Sequence, residues 1–139
     1  MTGIVIDASV ALAWCFPDEA RAYPDAVLAA LERQTMLVPA LWAVEITNAV
    51  LVAERRKRIK PSETRQFFAL LNELPVVMDS PSVLDTMSNL LPLGREYGLS
   101  AYDASYLDVA MSHGASLATL DSKLQNAARK TGVEIFRAA

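Results

Sequence analysis

Four acidic side chains carry the chemistry this sequence suggests: Asp7, Glu45, Asp103 and Asp121. Asp7 and Asp121 each follow a short apolar run, ending at Ile6 and at Leu120. Asp103 opens a helix-like stretch, Ser100-Ala-Tyr-Asp103-Ala-Ser-Tyr-Leu-Asp108, and Glu45 falls inside the mostly apolar segment around Trp42 and Ile46. Carboxylates gathered at one place raise one another's pKa unless a cation neutralises them. Hard oxygen donors favour Mg²⁺ or Mn²⁺ over Zn²⁺. Such ions activate water and offset the charge on a phosphate in transition, so the expected chemistry is the cutting of phosphodiester bonds.

Each acid also has a plainer reading. Asp7 and Asp121 follow strands and can cap the next helix, since an aspartate oxygen accepts from an unpaired backbone N–H. Asp103 lies three residues after Ser100, close to a capping-box spacing. Glu45 can simply be exposed. Against that, Trp42, Glu45, Ile46 and Ala49 share one helical face, and a carboxylate on a packed face costs several kcal/mol, by order of magnitude, unless it is paired or metal-bound. Ser9 and Thr119 are small hydroxyls beside the first and last acids. They fit either ordinary turn bonding or the orienting of a carboxylate.

The elements that must position these residues alternate. Strands are expected at 2–6, 36–38, 76–78, 116–120 and 133–136. Helices are expected at 10–16, from Asp18-Glu19 to about 33, at 42–58, 61–74, from Pro81 at the first helical position to about 94, at 102–113 and 122–130. This order implies an α/β fold with a mostly parallel sheet covered by helices on both faces. In such sheets ligands bind beyond the carboxyl ends of the strands, where Asp7 and Asp121 are expected. Helices returning antiparallel to the strands would bring the start at Asp103 to the same rim.

The 139 residues suit one domain, 1–139, with a single core. Hydrophobic residues make up 53%, which favours a buried sheet and leaves apolar surface for a partner. The net charge of −3 excludes binding of nucleic acid by global charge alone. The lone Cys15 allows no internal disulfide and suits a reducing cytoplasm. No basic leader precedes the first apolar run, and the longest apolar stretch, from Pro39 to Ala53, is too short and polar to span a bilayer.

With these residues in place, the chain resembles the PIN domain family, in particular the VapC-type toxin ribonucleases of type II toxin–antitoxin pairs. The segments that carry the resemblance are Val5-Ile-Asp7-Ala-Ser9-Val-Ala-Leu-Ala-Trp14, Pro39-Ala-Leu-Trp-Ala-Val-Glu45-Ile-Thr-Asn48-Ala, Leu99-Ser-Ala-Tyr-Asp103-Ala-Ser-Tyr-Leu and Leu117-Ala-Thr119-Leu-Asp121-Ser-Lys-Leu124. Their order and spacing fit nearly from end to end. The resemblance implies a three-layer α/β/α fold, Mg²⁺- or Mn²⁺-dependent endoribonuclease activity on RNA, a homodimer and a cognate VapB-type antitoxin. Asp7, Glu45, Asp103 and Asp121 map onto the family's acidic quartet, and Ser9 and Thr119 onto its accessory hydroxyls. Asp7, Asp103 and Asp121 would hold the metal, and Glu45 would position or deprotonate the attacking water. Many members carry a further acid where Ser122 and Lys123 stand here.

Other features are weaker. Arg95 and Lys123 flank the acidic segments and are candidate RNA contacts. The run Arg55 to Arg58, with Lys60, reads as a solvated helix end, with phosphate binding as the alternative. His113 before Gly114 reads as a helix C-terminus, and Cys15 between Trp14 and Phe16 reads as core. The competing function is a PIN-like module that holds RNA or protein without cutting. A dehalogenase-type phosphatase would want Asp-x-Asp where Asp7-Ala8-Ser9 stands, and a receiver domain would want paired acids earlier in the chain.

Overall fold

The computed structural model describes residues 3–16 and 21–138. Four parallel strands form its sheet in the order β3-β2-β1-β4. They are β1 (Gly3–Ile6), β2 (Thr35–Pro39), β3 (Val76–Asp79) and β4 (Ser116–Ala118). Seven helices flank it among the described residues: α1 (Ala8–Ala13), α2 (Ala22–Ala30), α3 (Leu41–Arg55), α4 (Pro61–Asn72), α5 (Val83–Tyr97), α6 (Ala101–His113) and α7 (Ser122–Thr131). No helix among these residues is long and apolar enough to cross a membrane.

The two inner strands explain the continuous apolar runs of the sequence. Ile4, Val5 and Ile6 of β1 and Met36, Leu37 and Val38 of β2 are all buried, as a strand covered on both faces requires. A side chain at Gly3 would meet Leu37 Cδ1 at 2.6 Å, so glycine lets β1 lie flush against β2. Helix α6 packs on β1, β2 and β4 and also against α5 and α7. Its residues Ala104, Tyr106, Leu107, Val109 and Ala110 enter the core. Gly114 ends α6 at φ 59, the left-handed conformation that favours glycine.

Several elements depart from the sequence expectations. Asp7 caps α1 directly, so the helix starts at Ala8, two residues earlier than expected, and stops at Ala13 rather than Phe16. The expected start of α2 at Asp18-Glu19 lies outside the described residues, and the helix ends at Ala30, before a turn. Helix α3 ends at Arg55, because Lys57 adopts φ 57 and turns the chain. Pro81 precedes the cap rather than opening the helix: Ser82 Oγ accepts from the Asp85 N–H, and α5 starts at Val83. That helix then runs through Pro92 and Gly94 to Tyr97, and stops at Gly98, φ 64. Strand β4 ends at Ala118 because Thr119 turns to other bonds. The segment 133–136 forms only an isolated parallel bridge, Ile135 with Leu117. Edge strand β3 is not covered on both sides, since Val76, Val77 and Met78 are exposed.

Candidate active site

The carboxyl ends of β1 and β4 lie side by side, the Asp7 N–H donating to the Ala118 carbonyl at 3.2 Å. Each strand is followed at once by an aspartate or threonine. Asp7 leaves β1 in extended backbone and caps α1. Its Oδ1 accepts from Ser9 Oγ at 2.6 Å and from the Val10 N–H at 3.2 Å. Its Oδ2 accepts from the Thr119 hydroxyl. Three donors on one carboxylate stabilise its charge. Burial works the other way and wins: only 7% of Asp7 is exposed, and its pKa is pushed up to about 6, with the charge of Asp103 adding to the rise.

The two accessory hydroxyls do more than cap. Thr119 is fully buried, and its Oγ1 donates to Asp7 while accepting from the Asp121 N–H at 3.0 Å. Ser9 Oγ donates to Asp7 and accepts from the Leu120 N–H at 3.1 Å. Together they stitch the start of α1 to the turn before α7. Gln125 completes this turn, its Nε2 donating to the Thr119 carbonyl at 2.9 Å. Nothing in its sequence context singled it out.

Asp121 caps α7, with Oδ2 accepting from the Leu124 N–H at 3.2 Å. The capping reading of Asp7 and Asp121 is therefore correct as far as it goes. A carboxylate offers about four lone-pair sites, so a cap leaves capacity for a further partner. Asp103 lies in the first turn of α6, where Ser100 Oγ accepts from its backbone N–H at 3.1 Å. Burial raises the Asp103 pKa and the charge of Asp121 raises it further, while Lys123 and the Ser100 bond oppose the rise. Asp103 thus feels both of the other aspartates.

Glu45 lies on the packed side of α3 as expected: Trp42 and Ile46 are buried and Glu45 and Ala49 half-buried, whereas Ala43, Val44, Thr47 and Asn48 are exposed. Its Oε1 accepts from the Tyr106 hydroxyl at 2.5 Å. The Tyr106 pKa is raised by burial, by Glu45 and by the charge of Asp7, so its hydroxyl lies between the two acids electrostatically. The sequence reading passed over Tyr106, although it stands one turn after Asp103. A core tyrosine reads as packing.

Among the described residues, no three His, Cys, Asp or Glu side chains stand as a group ready to hold a metal ion. What the fold gathers is a chain of neighbours, Asp7 to Asp103 to Asp121, with Glu45 joined through Tyr106. Of the basic candidates, Lys123 lies beside Asp103 and Gly98. Arg95 is exposed in the last turn of α5, on a groove shared with Leu99 and Ala101. The Arg58 guanidinium stacks over the Phe16 ring at 4.1 Å, so the basic run at the end of α3 is partly structural. His113 ends α6, and its Nε2 lies 3.2 Å from Asp79 Oδ1 on β3.

A curated relative, Ribonuclease VapC3 of Pyrobaculum aerophilum, is 29% identical over 122 residues, covering 87% of this chain and 91% of its own. The crystal structure of PAE2754 from Pyrobaculum aerophilum superposes with a TM-score of 0.69 at 28% identity, over 91% of this chain and 79% of that one. Two further structures share the fold at lower identity. FitAcB from Neisseria gonorrhoeae has a TM-score of 0.64 at 16% identity, over 97% of both chains. VapBC2 from Rickettsia felis, bound to a DNA fragment from its promoter, has a TM-score of 0.68 at 12% identity, over 96% of both. Residues 4–130 match the PIN domain family, and with the parallel sheet and the rim described above this chain belongs to that family.

Proposed function

We propose that this protein is a divalent-metal-dependent endoribonuclease and the toxin of a VapBC-type pair, working in the cytoplasm on an RNA substrate. The single observation that carries the reading is the buried Asp7 carboxylate, held by Ser9 and Thr119 at the sheet's carboxyl rim with Asp103 close enough to raise its pKa. A fold does not place an ionisable acid there cheaply without use for it. The likeness to Ribonuclease VapC3 supports the substrate class.

The donor set fits a hard cation. It is all oxygen, and Asp7 and Asp103 both resist ionisation through burial and through neighbouring carboxylate charge, a cost that a cation would offset. Asp7, Asp103 and Asp121 would hold Mg²⁺ or Mn²⁺. When bound, the ion supplies Lewis-acid stabilisation of the scissile phosphate and a lowered pKa for water. Glu45 orients the attacking water and accepts its proton. Lys123 and Arg95 are the candidate phosphate contacts, and Lys123 balances Asp103 until RNA arrives. Ser122 and Lys123 stand where a further acid would help hold a second ion, which favours a single-metal site.

The partner reading is a cognate VapB-type antitoxin and a second copy of the chain in a homodimer. Exposed Val83, Leu84, Met87 and Leu91 on α5 and Val77 and Met78 on β3 supply apolar surface for such contacts. The test is cleavage of total RNA by the purified protein with Mg²⁺, with chelator and as Asp7→Asn, followed by end mapping. Metal-dependent ends lost in the variant support the reading. Bound but intact RNA would instead mark a non-catalytic binding module.

A further inference from the structure

Glu45 and Tyr106 stand 61 residues apart in sequence, on different helices, and meet through one hydrogen bond. Tyr106 is the largest fully buried side chain in the protein's core among the described residues. Its ring packs among apolar groups, and its hydroxyl is the one part of it that needs a partner. A phenylalanine would fill the same space without that need. The hydroxyl therefore matters for what it touches: it donates to Glu45 Oε1, while the Ala8 backbone N–H, at the start of α1, acts on the Tyr106 hydroxyl oxygen.

The second observation is where Tyr106 stands. It follows Asp103 by one turn of α6, about 4.5 Å along the helix axis, so the two side chains share a face. One rigid, core-packed helix thus carries an acid of the rim and the donor that holds another acid. Glu45 itself is long and only half-buried, on a different helix. Without the bond its carboxylate has several rotamers open to it. With the bond Oε1 is fixed and Oε2 keeps its lone pairs for a second role.

We propose that Tyr106 is a positioning residue for phosphodiester cleavage, fixing the Glu45 carboxylate at a set distance from Asp103 and Asp7. It touches neither substrate nor ion and acts through Glu45. This inference rests on the nuclease reading above.

The test is single-turnover cleavage of one RNA by the wild type, Tyr106→Phe, Glu45→Gln and the double variant, with Mg²⁺ titrations and melting curves for each. Cleavage by the wild type and its loss in Glu45→Gln test the nuclease reading alone. Given both, Tyr106→Phe is expected to lower the rate about 10- to 100-fold, with KM and the Mg²⁺ midpoint within about twofold of wild type. In the Glu45→Gln background the same change is expected to cost nothing further, because a residue acting through Glu45 has nothing left to position. A Tyr106→Phe rate within about twofold of wild type overturns the proposal, as does full multiplication of the two losses in the double variant. Should Tyr106→Phe fail to fold, Tyr106→Met serves instead, filling the space with a flexible apolar chain that has no hydroxyl. A loss of about 10- to 100-fold that is absent in the Glu45→Gln background then supports the proposal, and a wild-type rate, or the same loss in the Glu45→Gln background, overturns it.

Discussion

Thr119 donates its hydroxyl hydrogen to Asp7 across 112 residues of sequence, and this bond closes the candidate site. It joins the ends of two neighbouring parallel strands, and the same oxygen accepts from the Asp121 N–H. A buried carboxylate that loses such a donor keeps its desolvation cost, about 1–3 kcal/mol or more for a charged group. Thr119→Val should therefore lower unfolding free energy by about that amount in urea titrations, and lower RNA cleavage as Asp7 loses its orientation. Thr119→Ser should recover most of both. A Val variant as stable and active as the wild type would remove Thr119 from the site.

Asp7 sets a pH dependence of stability. Its pKa is about 6 in the folded chain against an ordinary value of 3.8. The unfolded chain then releases its proton first as pH rises, so the folded state binds more protons between these values and stability falls. The stabilising term is fully present below pH 3.8, declines from there and is lost once pH passes about 6. The difference is about 3 kcal/mol by linkage. Asp7→Asn removes the ionisation, so at pH 7 without added metal the variant should be more stable than the wild type by up to about that amount. It should also have lost RNA cleavage. Chemical denaturation at pH 4, 5, 6 and 7 on both proteins checks the sign, and a stability gap that does not widen with pH would contradict it.

The same proton competes with a cation. A metal binding to the ionised carboxylate displaces the Asp7 proton, so affinity depends on pH. The rise in melting temperature on adding Mg²⁺ or Mn²⁺ should be small at pH 5 and grow through about pH 6 as Asp7 ionises. Asp7→Asn should abolish most of it. A metal-induced shift of equal size at pH 5 and pH 8 would place the ion elsewhere.

How much of this was legible beforehand differs from residue to residue. The buried strands were, because Ile4-Val5-Ile6 and Met36-Leu37-Val38 are continuous apolar runs bounded by polar or turn residues. The rim was too, since Asp7 and Asp121 each follow such a run and Ser9 and Thr119 stand two residues away on either side of the join. Tyr106 was not, because its type suits a core and its bond to Glu45 is a tertiary event with no local mark. The end of α5 was placed at about Gly94 because glycine is a poor helix residue in isolation, whereas the helix, packed against α6, continues to Tyr97 and stops at Gly98. Residues 133–136 have a strand's composition, yet they follow Gly132 at the sheet margin and make only a bridge to Leu117. The exposure of β3 was hidden for the same reason: Val76-Val-Met78 reads as buried, and which strand lies at the edge is set by topology.

Gly114 offers a control away from the site. Its φ is 59, and a Cβ placed there meets nothing within 4 Å. Gly114→Ala should therefore cost about 1 kcal/mol from the left-handed backbone alone, with RNA cleavage unchanged per folded molecule. A larger loss would mean that the turn into β4 also repositions Thr119, which equilibrium unfolding and cleavage measured together would reveal.

The exposed apolar face of α5 bears on partners rather than chemistry. Val83 is 76% exposed, Leu84 73% and Met87 63%, all on the outer part of a helix whose first turn follows the uncovered strand β3. Exposed apolar side chains grouped along one helix suit contact with another protein. Replacing Leu84 and Met87 with Glu should change the stability of an isolated chain by no more than about 0.5 kcal/mol each, as surface substitutions do. A charge placed in a closed interface, by contrast, costs several kcal/mol, by order of magnitude, through desolvation. Under the proposed homodimer, sedimentation velocity should therefore show the parent as a dimer and the double variant as a monomer, while the intrinsic melting temperature, measured at low concentration, stays close to that of the parent. A variant that sediments like the parent would move self-association away from α5 and leave that face to the antitoxin, whose capture by the double variant would then be the measurement that decides.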